Sequence, residues 1–421
     1  MIQKKYKKDT YNIYTIKTDK FKTCHMEIVF RNNINKDEVT LRSVLTEMLV
    51  ETSKNRPTRK EMIIELENLY NSYFYGITNR IGNSVLTSLC FDFINPKLVN
   101  EDIDNFILFP LDTVFNPNVK DNEFDKTTLE YIKERVKKDI ESIIEDPKKY
   151  SINKLLTNMC EFTASGIDIN GNIEDLDLIT PTSLYNYYNE MIKHDYIDIY
   201  IIGDLDMDYV STLIENNLKL NIYKDHEITY EVENKLTNKP IKVYDNYDFS
   251  QENICIGLNI DNITQYEKNY VAHIYNMILG GGSLETKLYN RLRNENSLCY
   301  NCSSIYQKFD NLIILHTAIS KENENLAIKL MKKALHDMIE NLSEDEIENA
   351  KKLITTTLNM SEDVPGRIID NYIFKNLYGL EDIEVRIKKY NNVTKKEIIN
   401  FAKKVKLNTI LCVRDGENGK D

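Results

Sequence analysis

Gly280, Gly281 and Gly282 form an unbroken run in a chain of 421 residues that has only 13 glycines, and a basic, helix-like segment follows in "GGGSLETKLYNRLRNENSLCY". Glycines ahead of basic residues could cradle a phosphate. A Walker loop, however, needs Gly-x-x-x-x-Gly-Lys-Ser/Thr after a strand, and a dinucleotide site needs Gly-x-Gly-x-x-Gly; the segment matches neither. Gly280 instead reads as a helix stop. A run of residues without Cβ permits positive φ or lets another backbone come close, as in a hinge or the wall of a peptide-binding cleft.

Cys299 and Cys302 at the end of this segment have the spacing of a redox pair or of half a zinc site. No second Cys-x-x-Cys or His-x-x-His completes a metal cage. The seven cysteines are odd in number and scattered, so no disulfide framework is expected and a reducing compartment is the simpler reading. Two packed strand residues are the expectation for this pair. The histidines, at 25, 194, 226, 273, 316 and 336, include no two at helical or strand metal-ligand spacing, so neither a metal nor any other cofactor is expected. A serine or cysteine nucleophile finds no Gly-x-Ser-x-Gly elbow either.

A formal charge of −12 disfavours a nucleic-acid or anionic-membrane binder, since both need a basic surface that displaces counterions. The N-terminus lacks the apolar stretch of a signal peptide, and no apolar run reaches the roughly 20 residues of a spanning helix. A cytoplasmic protein is expected.

The elements that would position these residues repeat. "CHMEIVFRN" (Cys24–Asn32) and "NICIGLNI" (Asn253–Ile260) both alternate as strands do, about 230 residues apart. Each precedes a helical stretch, Leu41–Ser53 and Asn269–Gly282. Each half closes with a helix start and a strand: Thr180 and Pro181 lead to Asp198–Asp206, and the capping box of Thr394 and Glu397 leads to Asn408–Gly416. A helix over Glu123–Pro147 places Leu129, Ile132, Val136, Ile140 and Ile143 on one stripe, its charges forming a solvated face. The polar stretch Asp225–Pro240 reads as the boundary, with room for one short strand. An α+β chain follows: a half over 1–225, a linker over 226–240 and a half over 241–421.

The block from Gly280 to Tyr300, with Ser283 after the glycines and "LRNENSLCY" at its end, resembles the Leu-Arg-Glu-Lys-x-x-Leu-Ala-Tyr signature in the second half of the pitrilysin/insulinase-like zinc metallopeptidases. "IIGDLDMDYV" (Ile201–Val210) resembles the family's first-half "VVGDVD". The resemblance spans nearly the whole chain and implies two homologous α/β-sandwich halves, each a mixed or antiparallel sheet with helices packed on it, forming one side of a clamshell. Catalytic members carry the inverzincin motif His-x-x-Glu-His, whose histidines bind zinc while the glutamate serves as general base. Aligned on Met48 and Leu49, those five positions hold Ser43, Val44, Leu45, Thr46 and Glu47, so both histidines are missing. Glu47 is then a rim carboxylate.

The resemblance thus implies a non-catalytic subunit that pairs with a similar-sized, His-x-x-Glu-His-bearing zinc peptidase and completes its chamber for a peptide substrate. Arg293 would donate charge-assisted hydrogen bonds to the peptide backbone or the developing oxyanion, and Tyr300 a phenolic O–H near the same carbonyl. Gly280, Gly281 and Gly282 would let substrate or partner backbone approach. Peptide would add to a sheet edge. "RKEMIIELENLYNSYFYG" (Arg59–Gly76) resembles the "LDDLYGA" region of short bacterial chains associated with leader trimming of ribosomally made modified peptides or with modification of translation elongation factor P. The alternative is a partnerless peptide-binding or scaffold protein of the same fold.

Overall fold

The computed structural model describes residues 1–8, 10–220, 226–235, 239–282 and 284–414. The chain forms two units. One comprises Met1–Glu141, Asp168–Tyr230 and Val364–Tyr372; the other comprises Ser142–Ile167, Glu231–Asp363 and Ile373–Asp421.

Strands β1 (Ile2–Lys7), β2 (Tyr11–Lys17), β3 (Thr23–Asn33), β4 (Tyr73–Ile81) and β5 (Ser84–Ile94) lie in the first unit, followed by a two-strand ribbon, β6 (Val119–Lys120) and β7 (Glu123–Phe124), and by β8 (Tyr196–Gly203). Its six-stranded sheet has the order β1-β2-β8-β3-β5-β4. Only the β2–β8 pair is parallel. The second unit has β9 (Ile241–Asn246), β10 (Glu252–Ile260), β11 (Cys302–Gln307), β12 (Leu312–Ile319) and β13 (Val405–Arg414), ordered β11-β12-β10-β13-β9. Again one pair, β13–β9, is parallel. Removing β1 leaves two sheets of identical connectivity, which is the expected duplication at the level of hydrogen bonding. The mixed sheets and their packed helices agree with the α+β expectation.

Alternation sorts the side chains of each sheet onto two faces. In the first unit Phe91 and Phe93 of β5 stack against one another and pack on Phe106 and Phe109 of the helix Ile103–Phe115. All four are fully buried, and burying each contributes about 1.5–3 kcal/mol. The intervening Cys90 and Asp92 therefore point to the opposite face, together with His25 and Glu27 of β3, their directly paired cross-strand neighbours. Over that face lies the segment Val364–Tyr372, where a Cβ on Gly366 would stand 3.6 Å from His25 Nε2. In the second unit the helix Pro147–Met159 occupies the corresponding place. Leu155 and Leu156 pack with Cys255, Ile314 and Leu411, and Gly257 leaves room for Met159 Sδ.

The helix Val39–Glu51 is anchored by an ion pair beneath it. Arg42, buried, donates from Nη1 and Nη2 to Asp195 Oδ2 at 2.9 Å each and from Nε to Tyr187 Oη. Both expected helix starts are present: Thr180 accepts from the Ser183 amide with Pro181 at the first helical position, and Thr394 and Glu397 close a capping box. The Leu129, Ile132, Val136 and Ile140 stripe is buried within Lys126–Ile144. Three expectations need correction. The helical stretch from Asn269 ends at Leu279 and begins in a π-turn, Glu267–Val271. Of the two cysteines expected in a strand only Cys302 lies in one, at the start of β11, because Cys299 to Asn301 turn into it. The described part of 226–235 contains no strand, and β9 begins at Ile241. Residues 415 and 416 of the last expected strand, Asp225 of the boundary stretch and Ser283 lie outside the described residues.

Candidate functional site

The first-unit residues at issue are those standing where a zinc motif would be. Ser43, Thr46 and Glu47 lie on one face of the helix Val39–Glu51, at the three-and-four spacing that places side chains together. They line a recess of about 140 Å³ with Gly76 and Thr78 of β4, with Val136, Asp139 and Ile140, and with Ile169 and Asn170. Thr46 Oγ1 donates to the carbonyl of Arg42 at 2.7 Å and lies 3.1 Å from Thr78 Oγ1. Its methyl group presses on β4, where a Cβ at position 76 would come within 2.4 Å of Thr46 Cγ2; only glycine fits.

Arg135 donates to Glu47 Oε2 at 2.5 Å and to Glu51 Oε2 at 2.9 Å. Burial raises the Glu47 pKa despite the opposing charge of Arg135. A guanidinium bonded to Glu47 repels a cation there, and Ser43 and Thr46 are poor zinc ligands. These three side chains can neither hold zinc nor activate a metal-bound water. Arg135 and Asp139 break the solvated face expected of their helix; Arg135 reaches inward because Glu51 is buried and Glu47 half-buried next to it. The signal was a basic residue one position before Val136 of the buried stripe.

In the second unit the glycine run closes the helix Ala272–Leu279 against β11. Gly280 and Gly281 both donate from N–H to the carbonyl of Asn276, and the Gly280 carbonyl accepts from Ser304 N–H at 2.9 Å. A Cβ at Gly280 would lie 2.9 Å from Ser304 N and 2.7 Å from Leu288 Cδ1; one at Gly281 would lie 2.8 Å from the Asn276 carbonyl oxygen. At Gly282 the neighbour would be Met277 Cε, 2.8 Å away at the end of a flexible side chain. The close approach allowed for in the sequence is therefore used within the chain. Positive φ is not used: the positive-φ glycines are Gly82, Gly171, Gly203 and Gly379.

Arg293 belongs to a second π-turn, Asn290–Asn294, and such turns concentrate at functional sites. Its Nη1 donates to the carbonyl of Tyr300, and its guanidinium carbon stands 4.5 Å from the centre of the Tyr300 ring and 5.3 Å from that of Tyr289. Tyr300 is 81% exposed, so a large aromatic ring is held at the surface by a cation–π contact rather than by a core. Tyr289, four residues before Arg293 on the same face, is the member of this group that the sequence did not reveal. Cys299 and Cys302 are unbridged and buried in the second-unit core. A hydrogen bond donated by the Cys302 thiol lowers the Cys299 pKa to about 7, and holding that donated proton pushes Cys302 up.

Comparison with known proteins agrees with this geometry. Residues 178–354 match the family model described as the peptidase M16 inactive domain. The chain is 25% identical over 416 residues to the probable inactive metalloprotease YmfF of Bacillus subtilis (strain 168), covering 96% of each chain. Its fold matches the crystal structure of a conserved protein from Enterococcus faecalis V583 with a TM-score of 0.91 at 23% identity, covering 97% of both chains. It also matches a peptidase M16 inactive domain from Pseudomonas fluorescens with a TM-score of 0.78 at 14% identity, covering 99% of this chain and 98% of that one. This chain is a catalytically inactive homologue of the M16 metallopeptidases, and it resembles the pitrilysin/insulinase-like family along nearly its whole length.

Proposed function

We propose that this chain is the non-catalytic subunit of a zinc-dependent peptidase heterodimer, binding peptide and completing the chamber of a similar-sized partner that carries His-x-x-Glu-His. The observation that carries the reading is the Arg293–Tyr300 pair. An exposed phenol held over a guanidinium, in the unit that bears the closed glycine turn, offers two donors to one peptide carbonyl, while no histidine or cysteine lines the recess around Glu47. Charge-assisted donors aimed at a developing oxyanion are worth several kcal/mol in a dry site.

Two sheet edges bear on how peptide is held. The edge of β11 already meets the Gly280 carbonyl at Ser304. The edge strand β4 lines the recess through Gly76 and Thr78 and exposes Tyr73 and Ile77. A substrate main chain adds along β4, which gives recognition tolerant of sequence. Among the described residues no helix is long and apolar enough to cross a membrane, and the working place proposed is the cytoplasm. The deciding experiment compares the assembled pair carrying wild-type chain with one carrying Arg293→Ala and Tyr300→Phe. A fall in kcat/KM of tenfold or more, with the partner's zinc content unchanged, is expected; unchanged kinetics would remove the proposed role.

A further inference from the structure

The first unit contains a group of metal-type donors far in sequence from the lost motif. His25 and Glu27 stand two apart on β3, and Cys90 lies on β5 directly opposite Glu27. The register places Tyr73, Asp92 and His25 in one row across three strands, and Tyr75, Cys90 and Glu27 in the next. All six point to one face. One donor atom from each of His25, Glu27 and Cys90 lies within 4.8 Å of the other two, and all three residues are buried, at 2%, 5% and 2% exposure.

We propose that His25, Glu27 and Cys90 bind a divalent transition-metal ion, with zinc the best match to their mixed nitrogen, oxygen and sulfur donors. Four considerations carry this. First, bonds of about 2.0–2.3 Å in a tetrahedral zinc site put ligand atoms roughly 3.3–3.8 Å apart. His25 Nε2 and Glu27 Oε1 are 3.0 Å apart and the whole trio falls within 4.8 Å, so movements of less than about an ångström close the site.

Second, the imidazole is already oriented. Asp92 Oδ1 lies 2.7 Å from His25 Nδ1, which fixes the proton on that nitrogen and turns Nε2 toward Glu27. A carboxylate behind a histidine is the usual outer partner of a metal ligand.

Third, charge. A zinc ion with one thiolate and one carboxylate is neutral, which suits a buried position. The cluster Glu252, Glu324 and Cys412 in the second unit is similarly compact, but Lys242 and Arg414 already neutralise it, with Glu324 oxygens at 2.5 Å and 2.7 Å. On the overlying segment Arg367 acts on Asp370.

Fourth, access. Asp92 has a side chain 45% exposed and Asp370 is exposed at its rim, so solvent reaches the edge of the group although the trio is covered. Gly366, one helical turn before Asp370, brings the backbone close over His25 Nε2 and leaves no bulk there. The fourth position falls to water or to Asp370. On binding, the Cys90 thiol proton and any proton on Nε2 leave to solvent as the metal takes their place. The ion is structural: it ties β3 and β5 beneath the Val364–Tyr372 segment, and supplies no peptidase chemistry to the recess around Glu47.

The test uses the full chain freed of metal by a chelator and titrated with Co²⁺, then with Zn²⁺. One equivalent of Co²⁺ is expected, with a thiolate-to-cobalt charge-transfer band that Zn²⁺ bleaches. Cys90→Ser abolishes the band, a Cys299→Ser/Cys302→Ser variant retains it, and Asp92→Asn weakens binding by tenfold or more. Zn²⁺ also raises the Tm of the wild-type chain but not that of Cys90→Ser. The proposal is overturned if the wild-type chain takes up no stoichiometric Co²⁺, if the band survives in Cys90→Ser, or if it is lost in the Cys299→Ser/Cys302→Ser variant. The wild-type titration decides without any variant, and far-ultraviolet circular dichroism shows whether each variant is folded.

Discussion

The guanidinium carbon of Arg293 stands 4.5 Å from the centre of the Tyr300 ring while the same side chain donates to the Tyr300 carbonyl. One residue thus fixes both the ring and the backbone of the other. Arg293→Lys keeps a charge but loses the planar stacking surface and the fork of donors. It is expected to loosen the 299–301 turn and to lower kcat/KM of the assembled peptidase nearly as far as Arg293→Ala, whereas Tyr300→Phe keeps the stacking and removes only the phenol. Steady-state kinetics on the three variants checks the order.

The glycines of the run are expected to differ. Gly280→Ala and Gly281→Ala push a Cβ against backbone, at Ser304 N and the Asn276 carbonyl, and should each cost about 1–3 kcal/mol. Gly282→Ala meets only the mobile end of Met277 and should cost clearly less. Urea denaturation of the three variants measures this; equal losses would mean that the close approaches do not govern the run.

Arg42 and Asp195 form a buried ion pair that seats the helix bearing Ser43, Thr46 and Glu47. Arg42→Met leaves Asp195 charged and unpaired, at a cost of about 3–5 kcal/mol. The double variant with Asp195→Asn should recover a good part of that loss, and a double-mutant cycle in urea reports the coupling.

Two second-unit histidines are held neutral. Burial, with Lys308 and Arg386 nearby, lowers the His273 pKa to about 3; burial and Lys148 lower that of His316 to about 4. In the unfolded chain both take up a proton near pH 6.5, so the folded state is favoured above that pH. Stability is lost as pH falls from about 6.5 toward those values, each histidine contributing roughly 1.4 kcal/mol per pH unit. Urea midpoints at pH 7 and pH 5.5 should show the loss, and His273→Phe should reduce its slope; a slope unaltered by the substitution would contradict the assignment.

Local signals in the sequence carried well. Thr394 with Glu397, and Thr180 with Pro181, start helices because caps act within one turn, and the buried stripe from Leu129 to Ile140 follows from a 3.6-residue period. The absent histidines were legible too, because a zinc motif is short and fixed in spacing. What the sequence withheld depends on strand pairing. His25 and Cys90 become neighbours only through the β3–β5 register, and Gly366 reaches them because Val364–Tyr372 packs in the first unit. Arg135 is hidden in the sequence for a similar reason: a periodic stripe identifies the buried apolar residues of a helix but not which flanking charge finds carboxylates on another helix.

The most direct measurement is native mass spectrometry of this chain taken from its own cells under mild conditions, with metal counted on each component. A one-to-one complex is expected with a chain of similar size that bears His-x-x-Glu-His and holds zinc there, whether or not a second ion sits at His25 and Cys90. A monomer or homodimer at every concentration, with no such chain in the complex, would contradict it.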